Sequence, residues 1–141
     1  MLKFITETCG VKLSDVLISG RSIGSGPACH LAAKFKPACL ILISPIKSVK
    51  DAARMMYGRV ADFFIEERFD NFSVAKNVVC PTAIFHGMND NMVPYQHSME
   101  MLINGFIKAQ THMFLRDGME HNRIDYINDI IKPMRYFLKL H

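Results

Sequence analysis

The chain has 141 residues, half of them hydrophobic and 21% charged, with a net charge of +4. That is the size of one domain and the composition of a globular chain, not a disordered one. The basic residues form no run of five or six, so the balance argues against a nucleic-acid surface, although weak affinity for an acidic membrane surface stays open.

The segment Leu2 to Cys9 reads as a short helix, with Gly10 as its stop. It carries Glu7 and has no long apolar centre, so a secretory signal is not expected. Strand Asp15 to Ser19 follows, and then Gly20-Arg21-Ser22-Ile23-Gly24. A strand that breaks into Gly-x-Ser-x-Gly before a helix is the sequence form of a nucleophile elbow. The sharp turn predicts that glycine is needed at both flanking positions, with the serine pushed up to meet a base. A plain strand-to-helix turn with Ser22 as an N-cap is the competing reading.

Helix Ile23 to Phe35 carries Gly24, Gly26, Ala28, Ala32 and Ala33, small residues that allow close packing on a sheet. Ala38 to Ser44 is apolar almost throughout, as expected of a strand covered on both faces. Asp51 to Glu66 has helical periodicity at Ala53, Met56, Tyr57, Val60 and Phe63/Phe64, with Asp51 as the expected cap. It reads as core packing or as a short cap in which Met55, Met56, Phe63 and Phe64 receive an acyl chain. Strand Thr82 to His86, helix Tyr95 to Lys108, strand Thr111 to Arg116 and a helix from about Arg123 complete the order. A kink or restart is expected at Pro133. Repeated strand–helix alternation implies a parallel sheet with flanking helices, whose reactive groups gather at the carboxyl ends of the strands.

Three residues follow predicted strands in the order Ser22, Asp90, His121, the chain order of an α/β-hydrolase triad. A serine hydroxyl is a poor nucleophile until a base removes its proton. His121 is the candidate base, Asp90 the residue that orients it, and the Ile23 backbone N–H one oxyanion donor. Taken singly, Asp90 could be a turn former and His121 an ordinary polar loop residue in solvent; order and placement together favour the triad. His86, at a strand end, reads as packing or as a partner of the backbone. His30, His97 and His112 fall inside elements. Cys9, Cys29, Cys39 and Cys80 contain no Cys-x-x-Cys pair and read as reduced thiols, implying a cytoplasmic protein with no metal and no cofactor.

Gly20 to Ala28, Ile43-Ser44-Pro45, Phe85 to Pro94 and Gly118 to Asn122 resemble the α/β-hydrolases. Within them the chain is most similar to the α/β-hydrolase domain-containing 17 group, with relatives in the domain-containing 13 group. The resemblance implies a serine hydrolase that cleaves an ester or thioester through an acyl-serine, and protein depalmitoylation in particular. The implied partners are an acyl ester or acylated protein, and no nucleic acid, with peripheral membrane association as an addition. Two positions depart from the pattern: Arg21 stands where glutamine is common, and Glu120 where a small residue is usual.

The family also has several strands before the elbow strand, whereas this sequence opens one helix before it. The expected fold is therefore an α/β-hydrolase fold lacking its N-terminal strands, and the loop carrying the second oxyanion donor with them. The elbow strand becomes an exposed apolar edge, a surface for self-association. The alternative function is a truncated, non-catalytic homologue or half-domain that acts through a partner chain.

Overall fold

The structure, a computed structural model, describes residues 2–67 and 69–140, with the side chains of residues 56, 61 and 62 outside the described set. Among the described residues four strands form one parallel sheet in the order β1 (Leu17–Arg21), β2 (Cys39–Ile43), β3 (Thr82–Gly87), β4 (Thr111–Arg116). The register pairs Leu17 with Cys39, Leu40 with Thr82 and Thr82 with Thr111. β2 and β3 are buried along nearly their whole length, which is why their sequences are apolar without alternation.

Consecutive parallel strands stepping in one direction, with crossovers of one hand, put the connecting helices on one face. Here α1 (Ser25–Phe35), α4 (Asn71–Ala75) and the helical turn Met101–Gly105 do so. Ala28, Cys29, Ala32, Ala75 and Met101 pack with Ile18, Leu40, Leu42 and Ile84. The other face is covered by the closing helical segments, π-helical Tyr126–Ile131 and α6 (Lys132–Leu138). Ile130 and Phe137 pack there against Cys39, Ile41, Ala83 and Phe85. The turn type changes at Lys132, with Pro133 in the first turn of α6, so the expected restart occurs where the missing N–H costs nothing.

Several boundaries differ from the sequence reading. β1 starts two residues later and runs through Gly20 and Arg21, because Leu13–Asp15 forms a 3₁₀ turn first. The 51–66 segment is α2 (Val49–Tyr57), a turn at Gly58–Val60 and α3 (Ala61–Phe64). Its cap is Ser48, whose Oγ accepts the Asp51 N–H, so Asp51 is the capped residue and not the cap. The helix at Tyr95 divides into α5 (Gln96–Glu100) and the π-helical Met101–Gly105. α4 was unexpected; Asp70 caps it by accepting the Ser73 N–H.

β1 pairs only with β2 among the described residues. Its Leu17 and Ser19 are exposed, since the helices behind β2–β4 do not extend across it. No described helix is long and apolar enough to cross a membrane. All four cysteines are free thiols.

Candidate active site

The carboxyl ends of β1, β3 and β4 deliver the three expected side chains to one place. β1 ends at Arg21, and Ser22 follows at φ +51°, a left-handed backbone that a non-glycine residue adopts at a cost of about 1–3 kcal/mol. The turn is tight on one side only. A Cβ on Gly20 would sit 2.5 Å from the Gly24 carbonyl oxygen and 2.6 Å from the Ala28 Cβ. Gly24 has φ −64° and open space where its Cβ would be. The expectation that both flanking positions demand glycine therefore holds for Gly20 alone. Ser22 is no N-cap either: its Oγ lies 3.0 Å from His121 Nε2.

His121 Nδ1 lies 2.8 Å from Asp90 Oδ2. A carboxylate can only accept, so Nδ1 carries the proton and Nε2 presents its lone pair to the Ser22 hydroxyl. Asp90 is buried, which opposes its ionisation. Hydrogen bonds from His86, from the Val93 N–H and from His121 outweigh that burial and hold its carboxyl well below the usual carboxylate range. His86 is fully buried; its Nε2 donates to the Val93 carbonyl at 2.7 Å, and its Nδ1 lies 2.6 Å from Ser98 Oγ. It thus fixes the loop that carries Asp90, whose Oδ2 lies 3.5 Å from the same Nε2.

The His121 loop is seated from two sides. Gly87, the last residue of β3, lies so close to it that a Cβ would stand 2.0 Å from the Met119 carbonyl oxygen. Asn89 accepts the Gly118 N–H at 2.9 Å through its side chain and donates its own N–H to the Met119 carbonyl. From the other side, Arg21 Nη2 donates to the His121 carbonyl and, at 3.0 Å, to Asn122 Oδ1. Sequence reasoning noted Arg21 only as a departure, because its partners lie at the far end of the chain.

Beneath the elbow a buried polar network joins three elements. Ser25 Oγ donates to the Ser22 carbonyl at 2.6 Å, and Asn71 Nδ2 donates to Ser25 Oγ and to the Ile46 carbonyl. His97 accepts the Lys47 N–H, and burial pushes its imidazole below the usual histidine range. Burial likewise pushes the Cys29 thiol up to about 12 and Cys80 up to about 11, so neither competes with Ser22 as a nucleophile.

Ser22, Ile23 and His121 open onto a cleft of about 200 Å³ walled by Ile46, Val49, Ala52, Ala53, Tyr57, Met92 and Val93. The expected acyl-receiving residues differ. Met55, Phe63 and Phe64 point outward and do not line this cleft, and the Met56 side chain lies outside the described residues. One helical face of α2, Val49-Ala52-Ala53, supplies the wall instead. Among the described residues no group of three or more His, Cys, Asp or Glu is placed to hold a metal ion.

Solved structures place this arrangement in a known fold. Acetyl xylan esterase 1 from Thermoanaerobacterium superposes with a TM-score of 0.73 over 98% of this chain and 49% of its own, at 19% identity. The acylaminoacyl peptidase of Pyrococcus horikoshii gives 0.68 over 99% of this chain and 25% of its own, at 15% identity. The chain has the α/β-hydrolase fold. In sequence it is similar to α/β-hydrolase domain-containing protein 17B of Homo sapiens, 24% identical over 131 residues. That match covers 92% of this chain and 43% of the relative, so the chain spans less than half the relative's length. No family model matches it.

Proposed function

We propose that this α/β-hydrolase-fold chain is a serine hydrolase that cleaves an acyl ester or thioester. The observation that carries the reading is the hydrogen-bonded series Ser22–His121–Asp90 at the mouth of an apolar cleft. Ser22 Oγ attacks the acyl carbonyl while His121 Nε2 takes the hydroxyl proton, and the Asp90 carboxylate stabilises the imidazolium. The tetrahedral oxyanion develops beside the Ile23 N–H, which donates to it. His121 then protonates the departing alcohol or thiol, leaving acyl-Ser22. A water molecule, deprotonated by His121, attacks that acyl group; Ser22 recovers its proton and the carboxylic acid leaves.

The apolar walls favour an acyl group with a hydrocarbon chain over a polar one. The resemblance to the domain-containing 17 group directs the choice to a thioester on a protein cysteine, and so to depalmitoylation at the cytoplasmic face of a membrane. The test is intact-mass spectrometry of the chain mixed with an acyl thioester. The reading expects one acyl adduct on Ser22 that decays to free acid and is absent from Ser22→Ala; hydrolysis that persists in Ser22→Ala would refute it.

A second reading has an observation of its own. Among the described residues β1 pairs on one side only and Leu17 is exposed, an arrangement suited to a strand from another chain or a second copy. Light scattering that shows a dimer in the unmodified chain and a monomer in Leu17→Lys would support it; a monomer in both would refute self-association.

A further inference from the structure

Asp90 is approached by two histidines, and each of them is paired with a serine. Toward the cleft, His121 Nδ1 stands 2.8 Å from Asp90 Oδ2 and its Nε2 faces Ser22. On the buried side, His86 Nε2 stands 3.5 Å from the same Oδ2, and its Nδ1 lies 2.6 Å from Ser98 Oγ. His86, at the end of β3, and Ser98, on α5, are both fully buried. The Ser98–His86 pair therefore mirrors the Ser22–His121 pair across their shared acid, with the two imidazole nitrogens exchanged.

The proton positions follow from what each partner can do. The Val93 carbonyl, 2.7 Å from His86 Nε2, can only accept, so Nε2 carries the proton. Nδ1 is then the lone-pair nitrogen, and the Ser98 hydroxyl is its donor. That tautomer turns an N–H toward Asp90 and not a lone pair. The other carboxylate oxygen, Oδ1, accepts the Met92 and Val93 N–H groups at 3.0 and 2.8 Å. Burying an imidazole and a hydroxyl costs free energy that an apolar pair would not, so their place beside the triad acid calls for a role.

We propose that Ser98 and His86 are positioning residues of the hydrolytic reaction: the Ser98 hydroxyl fixes the His86 tautomer, and His86 steadies the Asp90 carboxylate that orients His121. The inference rests on the hydrolase reading above and adds two residues that act through Asp90, since neither lines the Ser22 cleft. When His121 takes the Ser22 proton, Asp90 stabilises the imidazolium along the Nδ1–H direction. A carboxylate held at both oxygens keeps that direction while the proton moves.

Losing the function of the acid that orients a catalytic imidazole costs about 10⁴-fold in kcat. Ser98 acts further back, through the long His86–Asp90 contact, so Ser98→Ala should cost about tenfold. The loss should fall on kcat, with KM within about twofold.

The experiment measures the rate of fluorophosphonate labelling in the full chain, Ser98→Ala, Asp90→Asn and the double variant, with kcat and KM for Ser98→Ala on a short acyl ester. The expected result is labelling about tenfold slower in Ser98→Ala, and no further loss when Ser98→Ala is added to Asp90→Asn. An unchanged rate in Ser98→Ala, an equal loss in both backgrounds, or a loss carried by KM would overturn the positioning role while leaving the hydrolase reading intact. Failure of the folded, unmodified chain to label at Ser22 would overturn both. Thermal melts show whether Ser98→Ala folds. If it does not, nitrogen NMR of the histidine rings in the unmodified chain decides. The His86 Nε2–H tautomer is expected, and an Nδ1–H tautomer or an imidazolium would overturn the proposal.

Discussion

Arg21→Ala should slow acylation without weakening substrate binding. One guanidinium nitrogen, on the residue adjoining Ser22, holds the His121 carbonyl and the Asn122 side chain. Removing it frees the loop that carries the base, while Gly87 and Asn89 still hold that loop from the β3 side. Charge-assisted hydrogen bonds are worth about 1.5–3 kcal/mol when shielded, and exposure of Arg21 reduces that. About 1.4 kcal/mol of lost positioning corresponds to a tenfold loss in rate. Because Arg21 does not line the cleft, the loss should fall on kcat, with KM within about twofold. Arg21→Lys, which keeps a cation but loses the planar fork, should recover only part. The assay is steady-state hydrolysis of a short acyl ester, with the rate of fluorophosphonate labelling as a second readout. A kcat within twofold of the unmodified chain, or a loss carried by KM, would refute the positioning role.

Other consequences follow from the close approaches and the buried groups. Gly87→Ala should destabilise the chain by about 3 kcal/mol in chemical denaturation, because the new Cβ meets the Met119 backbone. Gly24→Ala, at φ −64° with open space, should be neutral or stabilising by about 0.5 kcal/mol; a loss as large as that of Gly20→Ala would contradict the one-sided elbow. Asn71→Ala should cost about 2 kcal/mol, since its amide donates two buried hydrogen bonds. The carboxyl of Asp90 is held below its unfolded value near 3.9, so its contribution to stability is present above about pH 4 and is lost as the pH falls below that. The stability gap between the unmodified chain and Asp90→Asn should accordingly narrow between pH 7 and pH 3, read from urea midpoints; a constant gap would contradict the assignment.

What the sequence made legible followed chemical necessity and simple periodicity. β4 is bounded by Thr111 and Arg116 as read, because loops flank a clear β-rich run. β2 is recognisable from its unbroken apolar stretch. Ser22, Asp90 and His121 stand out because an elbow, an acid loop and a histidine loop each follow a strand, and the folded chain brings them within hydrogen-bond reach. Features that depend on contacts across the fold were hidden. Nothing local marks Arg21 as a clamp on residues at the far end of the chain. Gly20 and Gly24 look equivalent in a motif, and the close approach of the Gly24 carbonyl and the Ala28 side chain to Gly20 distinguishes them. α4 is a single short turn-and-a-half capped by Asp70, too brief for a helical period to show. In the 51–66 segment, periodicity identified a helix but could not say which stripe faces the site. The turn at Gly58 sends Phe63 and Phe64 away from the Ser22 cleft.

The central claim is that Ser22 is an activated nucleophile, and fluorophosphonate labelling of the full chain beside Ser22→Ala tests it most directly. The serine oxygen attacks phosphorus and fluoride leaves, a reaction that requires a base at the hydroxyl and not a particular substrate. The account predicts one phosphonyl adduct on Ser22, absent in Ser22→Ala and strongly slowed in His121→Ala. Failure of the folded chain to label, or labelling that survives in Ser22→Ala, would contradict it.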